Sequence, residues 1–332
     1  MKINHTILIV SLMVCSLFTG CKKSDANGTK VSEKKVEVSE ERLGEVIVYT
    51  YDSFSGEWGA GPEIARRFEE KTGIKVVYSD CGDGVQILSK AILEKDDPYA
   101  DVLVGVDNNL TDRVMESGVL EAYTPAGVEK LKEGLEDSLG GKWLLTPYDY
   151  SPFAIIFNTE SGLEAPTCLE DLTKPIYEKK LILMDPRTST PGLGFDVWVR
   201  TVYGDKYDDY MKRLQPSILT MAPGWSVGYG MFTEGEAPMA ISYTTSPAYH
   251  VEYDEGDKFQ ALEFTDGHVM QVEGTGLVKG CKNPEGAKMF IDFLISEEAQ
   301  EVLPIGQWMY PANKNVVMPP CYDGCIDPVI LN

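Results

Sequence analysis

Histidine is scarce here: His5, His250 and His268 are the only three in 332 residues. Three imidazoles so far apart in sequence give no obvious metal constellation and no obvious catalytic triad. There is no Walker A sequence, no Gly-x-Gly-x-x-Gly opening a helix after a strand, and no His-Glu-x-x-His. A serine nucleophile elbow is not expected either, so most enzyme classes drop out. Basic charge is also short. Thirty Lys and Arg face 52 Asp and Glu, a formal charge of -22. Nucleic acid needs a basic surface and is excluded as a partner. The acid excess favours a cationic ligand only weakly, because such charge mostly serves a solvated exterior. Neither a catalytic residue, a metal nor a cofactor is read from the chain.

Long apolar runs are missing too. The one apolar stretch near the start, Ile7 to Phe18, is too short to span a bilayer, which takes about 20 residues. With Lys2 before it, it reads as a signal peptide over 1–20. Thr19-Gly20-Cys21 closes it and resembles the lipobox of bacterial lipoproteins, which implies a lipid on Cys21 and attachment to a membrane surface. The stretch 21–44 is charged and free of aromatic residues, the composition of a flexible tether. The rest, 45–332, is long enough for two lobes. Cys81, Cys168, Cys281, Cys321 and Cys325 remain, and Cys321 and Cys325 are close enough to close a small disulfide loop. Sequence alone does not fix the pairing.

What is present alternates. Val46–Tyr51, Ile74–Tyr78 and Asp101–Val106 read as strands, and Pro62–Lys71, Val85–Leu93 and Leu110–Ser117 as the helices between them. Three such units predict an α/β fold with a mostly parallel sheet, whose ligands sit at the carboxyl ends of the strands. Those ends carry Tyr51-Asp52-Ser53, Asp83-Gly84 and Asp107-Asn108-Asn109, each equally readable as a cap or a turn. After Pro147 a second series begins: strands Phe153–Phe157, Lys180–Met184 and Met239–Tyr243, and helices Pro191–Tyr203 and Trp225–Phe232. An extended return follows over His268–Val278, then helices Lys288–Leu294 and Glu297–Leu303. The first lobe is expected over 45–147 plus 279–332, and the second over 148–278.

Aromatic residues collect in three polar segments. These are Gly224-Trp225-Ser226, Tyr243-Thr244-Thr245-Ser246-Pro247-Ala248-Tyr249, and Gln307-Trp308-Met309-Tyr310-Pro311. Pro247 reads as a break against any helix through the second. Brought together, the three would form an aromatic cage for a cation that is also a flat ring. Trp198, Phe195 and Phe232, on expected helices, read as core.

The segments Tyr49–Phe54 with Trp58-Gly59, Asp83-Gly84-Val85, Leu103–Leu110, Asp185–Gly194, Gly224–Ser226, Ser242–His250 and Trp308–Pro311 run in the order seen in one family. The chain resembles the thiamine-binding periplasmic proteins, substrate-binding components of thiamine ABC transporters. That resemblance implies a type II periplasmic-binding fold, two α/β lobes joined by crossing strands with a ligand cleft between them. It implies a monomer that carries thiamine, its mono- or diphosphate, to an inner-membrane permease. It places Asp83, Gly84, Ser189, Thr190, Trp225, Tyr243, Thr244, Thr245 and Ser246 on the ligand, with Tyr51, Trp58, Tyr249 and Trp308 as the aromatic cage. A phosphate would suit Ser189, Thr190, Thr244, Thr245 and Ser246; Arg187 reads as a helper or as a structural ion pair.

Three alternatives stay open at this point. A thiaminase-like enzyme of related fold would use Cys81 as nucleophile, although Asp80 and Asp83 beside it would raise rather than lower its pKa. A ferric-ion binder typically uses adjacent tyrosines, whereas Thr244 and Thr245 part Tyr243 from Tyr249. A polyamine binder would share the aromatics and the acids.

Overall fold

The run Val46-Ile47-Val48-Tyr49 has no polar alternation, which suits a strand covered on both faces. It forms β1 (Glu45–Thr50), buried beyond its first residue. The structure is a computed structural model that describes residues 44–331; the signal segment, Cys21 and the tether up to residue 43 lie outside the described residues. β1 pairs in parallel with β2 (Lys75–Asp80) and with β3 (Val102–Asp107). Next come β4 (Leu120–Glu121), β5 (Thr146–Asn158), β6 (Leu181–Met184), β7 (Ile218–Ala222) and β8 (Met239–Tyr243). β9 (Phe259–Ala261), β10 (Met270–Val278) and β11 (Tyr310–Pro311) complete the set. The main order is β2-β1-β3-β10-β5-β8-β6-β7. β6 is parallel to both β7 and β8, so each end of this order carries parallel strands.

β5 joins the two ends. Its first part pairs antiparallel with β10 up to Pro152, and its remainder, from Phe153, pairs antiparallel with β8. Strand β5 thus begins at Thr146, well before the expected Phe153, and runs through two prolines. Pro147 lies beside a register shift and Pro152 where the partner changes, sites at which a missing N–H costs no ladder bond. One hydrophobic core surrounds β1 to β3, with Ile64, Phe68, Ile87, Leu88 and Phe290 supplied by flanking helices. The other half is packed on two faces of its sheet. One face holds Phe153, Phe195 and Trp198, the other Ile156, Tyr229 and Phe232. Trp198 is fully buried and its Nε1 donates to Gly267 O at 2.9 Å.

Several expectations need correction. Pro247 does not break a helix; it sits in the first turn of the helix Ser246–Glu252, where its missing N–H has no partner to lose. The helix expected from Lys288 starts at Pro284, capped by Asn283, whose Oδ1 accepts from Gly286 N at 3.0 Å. Glu297–Leu303 is two short turns, Glu297–Gln300 and Leu303–Gly306, the second carrying Pro304. The helix Tyr207–Leu214 and the edge strand β7 were not foreseen. The tail expected in the first lobe does not stay there: Leu331 packs on the second core, and His268 N donates to Val329 O at 2.8 Å. Cys321 and Cys325 are free thiols. Their sulfurs serve different neighbours, Cys321 the Glu252 side chain and Cys325 the Ala248 backbone and Tyr310. Among the described residues no helix is long and apolar enough to cross a membrane.

Candidate functional site

The strand ends, the Trp225–Thr233 helix and the loop around Trp308 enclose a cavity of about 420 Å³. Tyr51, at the end of β1, is buried beneath it. Its hydroxyl donates to Glu273 Oε2 at 2.8 Å and lies 3.1 Å from Tyr148 Oη, while Gln307 Nε2 donates to it at 2.8 Å. Gly105 makes room for this ring. Its φ is +102°, and a Cβ there would lie 2.2 Å from Tyr51 Cε1. Gly105→Ala should therefore displace Tyr51 and cost about 2–4 kcal/mol from left-handed strain and overpacking. A thermal melt, with the affinity of the same variant for its ligand, checks this.

Asp83 holds the middle of the cavity wall. It caps the helix Gly84–Leu93 in a capping box with Gln86, its Oδ1 accepting from Gly84 N at 2.6 Å. The same oxygen accepts from Thr190 N at 3.3 Å and Thr190 Oγ1 at 3.4 Å, and Oδ2 accepts from Trp225 N at 3.0 Å. One carboxylate from the first half thus satisfies the first N–H groups of two helices in the second, where the positive ends of helix dipoles favour an anion. Burial pushes its pKa up, against the pull of those N–H donors. Gly84 allows the approach, because a Cβ would sit 2.6 Å from Thr190 Cγ2. A second bridge lies alongside: Ser226 Oγ donates to Asp52 Oδ1 at 2.8 Å.

The aromatic walls come from both halves. Trp225 stacks on Tyr229 with centroids 4.9 Å apart and planes at 13°. Its Nε1 donates to Ser242 Oγ at 2.8 Å, and Ser242 Oγ is 2.8 Å from Ser246 Oγ, so hydroxyls fix the indole. Tyr243 stacks on Phe153 at 5.3 Å, and Tyr249 meets Trp308 edge to face at 5.4 Å. Trp308 has φ +59°, a strained backbone for a bulky residue, of the kind found at ligand sites. Trp58 stands at the rim, 88 % exposed.

Of the residues named from sequence, Tyr51, Trp58, Asp83, Thr190, Trp225, Tyr243, Ser246, Tyr249 and Trp308 line this cavity. Gly84, Ser189, Thr244 and Thr245 do not. Ser189 is fully buried at the start of the helix Thr190–Tyr203, and its hydroxyl makes no capping bond. Thr244 and Thr245 are fully buried, with Ser151 Oγ 3.3 and 3.1 Å from their hydroxyls. Arg187 is an exposed ion-pair partner of Asp185, with Nε 2.9 Å from Oδ1. Cys81 is not a lining residue, and burial with Asp80 and Glu94 nearby pushes its thiol up, away from nucleophilic use. Sequence reasoning missed Glu273 and Tyr229, and named Ser226 only as part of the segment Gly224-Trp225-Ser226. It also passed over Gly224-Trp225-Ser226-Val227-Gly228, which has the spacing of a nucleophile elbow and follows β7 into a helix. Its serine is bonded to Asp52 and, among the described residues, makes no bond to an imidazole. His250 Nε2 is 2.8 Å from Tyr229 Oη, while His268 accepts from Phe264 N at 2.9 Å and bonds Phe153 O at 2.7 Å.

Comparison with known proteins agrees with this architecture. The profile of the family described as "Bacterial extracellular solute-binding protein" matches residues 97–323. A "Thiamine-binding periplasmic protein" of Brucella abortus biovar 1 (strain 9-941) is 38% identical over 285 residues, 85% of this chain and 84% of the relative. A protein of the same name from Escherichia coli (strain K12) is 36% identical over 286 residues, covering 85% of each chain. The solved structure of a "Periplasmic thiamin binding protein" superposes with a TM-score of 0.80 at 34% identity, over 86% of this chain and 89% of the other. The likeness extends across fold and most of the length, and the chain belongs to the bacterial extracellular solute-binding proteins.

Proposed function

We propose that this protein captures thiamine outside the cytoplasm and delivers it to the permease of an ABC transporter. The carrying observation is the cavity, where aromatic rings from both halves surround a floor of buried acid. Thiamine is a permanently charged thiazolium joined to a flat aminopyrimidine. A Trp or Tyr face gains about 0.5–2 kcal/mol over such a cation. The aminopyrimidine stacks on a second ring, and its amine finds a carboxylate acceptor in Asp52. A volume near 420 Å³ falls within the roughly 300–1,000 Å³ of small-molecule sites. Relatives at 36–38% identity bear the thiamine-binding name, which supports the same ligand. We read the two cores as two lobes, 45–147 with most of 279–332 and 148–278 with the terminal tail, closing on the ligand through Asp83 and Asp52. A lipid on Cys21 would hold the carrier at a membrane surface.

The hydroxyls expected to cradle a phosphate are dispersed, since Thr244 and Thr245 bond Ser151 and Asp83 holds the helix N-termini. This favours thiamine over its phosphates. Titrating tryptophan fluorescence with thiamine, thiamine monophosphate and thiamine diphosphate tests the reading, with spermidine and ferric citrate alongside. Saturable quenching by thiamine, recovered chemically intact, is expected. A response to spermidine or iron without one to thiamine would end the thiamine account, and cleaved pyrimidine would end the non-enzymatic one.

A further inference from the structure

Beneath the cavity lies a row of acids that the capture model has not used. Glu273 of β10 stands directly opposite Asp107 of β3 and directly opposite Asp149 of β5. Side chains opposite one another on neighbouring strands share a face, so three carboxyls line up across three strands. All are buried, and only Glu273 lines the cavity. Glu273 Oε2 accepts from Tyr51 Oη at 2.8 Å and Tyr148 Oη at 3.0 Å. Asp107 accepts from Asn109 Nδ2 at 3.0 Å, Asn109 N at 3.1 Å and Gln271 Nε2 at 3.1 Å. Both Asp149 carboxyl oxygens are buried with no donor.

The other titratable groups facing this row are Asp83 from the Gly84–Leu93 helix end, Tyr243 from β8 and Tyr322 from the turn Pro320–Tyr322. None of the three acids takes part in an ion pair among the described residues. Buried like charges directly opposite one another cannot all stay ionised without a cation. Burial pushes Glu273 and Asp149 up, with Glu273 further raising Asp149, and Asp107 is pushed up to about 7.

Resting on the thiamine reading above, we propose that Glu273, backed by Asp149, is the counter-ion that selects a permanently cationic ring, and that ligand entry expels a proton held between these two carboxyls. The step breaks one carboxyl O–H bond and passes the proton to solvent; nothing is oxidised or reduced. The sign follows from charge. A cation stabilises only the ionised pair, so binding releases the proton and affinity rises with pH. Below the pair's titration range the gain approaches about tenfold per pH unit for one proton, then levels off.

The test uses the whole protein in calorimetry with thiamine and with 3-deazathiamine, its neutral thiophene isostere. Runs in buffers of different ionisation enthalpy count protons released. The natural protein is expected to prefer thiamine and to release a proton with it. Glu273→Gln should lose about thirtyfold or more of thiamine affinity, keep its affinity for 3-deazathiamine, and release no proton. Asp149→Asn should bind thiamine without proton release and with a flat pH profile, and it decides the matter if Glu273→Gln does not fold. Equal affinity of the natural protein for both compounds, or binding of thiamine with no proton released, overturns the proposal and leaves the thiamine reading standing. Binding of neither compound removes both.

Discussion

Asp83→Asn is expected to melt within a few degrees of the natural protein, yet to bind thiamine about 30- to 1,000-fold more weakly. The two effects separate because Asp83 does two jobs. As the cap of Gly84–Leu93 it needs one acceptor oxygen, and asparagine caps as well as aspartate. As the bridge between halves it needs two: Oδ1 takes Thr190 N and Oδ2 takes Trp225 N. An amide turns one of these oxygens into a donor facing a donor. The closed form then carries a buried, unpaired N–H and loses a charge-assisted bond, together about 2–4 kcal/mol. That penalty falls on closure and so on affinity, which about 1.4 kcal/mol changes tenfold. Calorimetry gives the affinity and a thermal scan the stability. Should both stay level, Asp83 is a cap and nothing more, and the closing role assigned to it fails.

Much of the fold was legible because the parallel units announce themselves. β8 occupies the residues expected for it, and the helix opening at Trp225 starts where Gly224 releases the chain. Element ends were less legible wherever proline stood. The second series was expected to begin only after Pro147, with its strand at Phe153, yet Pro147 and Pro152 both lie within β5, each where the strand needs no N–H from that residue. The site divided in the same way. Aromatic residues near glycine or proline were found, because bulky rings in turns have few structural uses. Glu273 was not, because an acid within a strand reads as a solvent-facing position. Only the register that sets it opposite Asp107 and Asp149 reveals a buried row. Thr244 and Thr245 err in the opposite direction. Their hydroxyls look available in sequence, yet the turn after β8 points them at Ser151, with the cavity left to Tyr243 and Ser246. A single chain states which groups exist, while the face each takes is set by strand pairing over a hundred residues away.

Trp225→Ala should leave the bridge to Asp83 in place, because Trp225 donates through its backbone N–H, which alanine keeps. The loss therefore reports on the ring. One indole face is covered by Tyr229, and Ser242 holds Nε1, so the ring reaches the cavity already fixed and loses little entropy on binding. Removing it forfeits about 0.5–2 kcal/mol of cation–π attraction and about 1–2 kcal/mol of apolar contact. The sum, about 1.5–4 kcal/mol, weakens thiamine binding by about 10- to 1,000-fold. Trp225→Phe keeps a flat face but no donor for Ser242, and should fall between the two. Affinity for 3-deazathiamine should drop less in Trp225→Ala, since the neutral ring never had the cation term. Equal losses for the two compounds would make Trp225 an apolar wall, leaving the recognition of charge to Glu273. Unchanged thiamine affinity in Trp225→Ala would place the ligand elsewhere and take the aromatic cage with it.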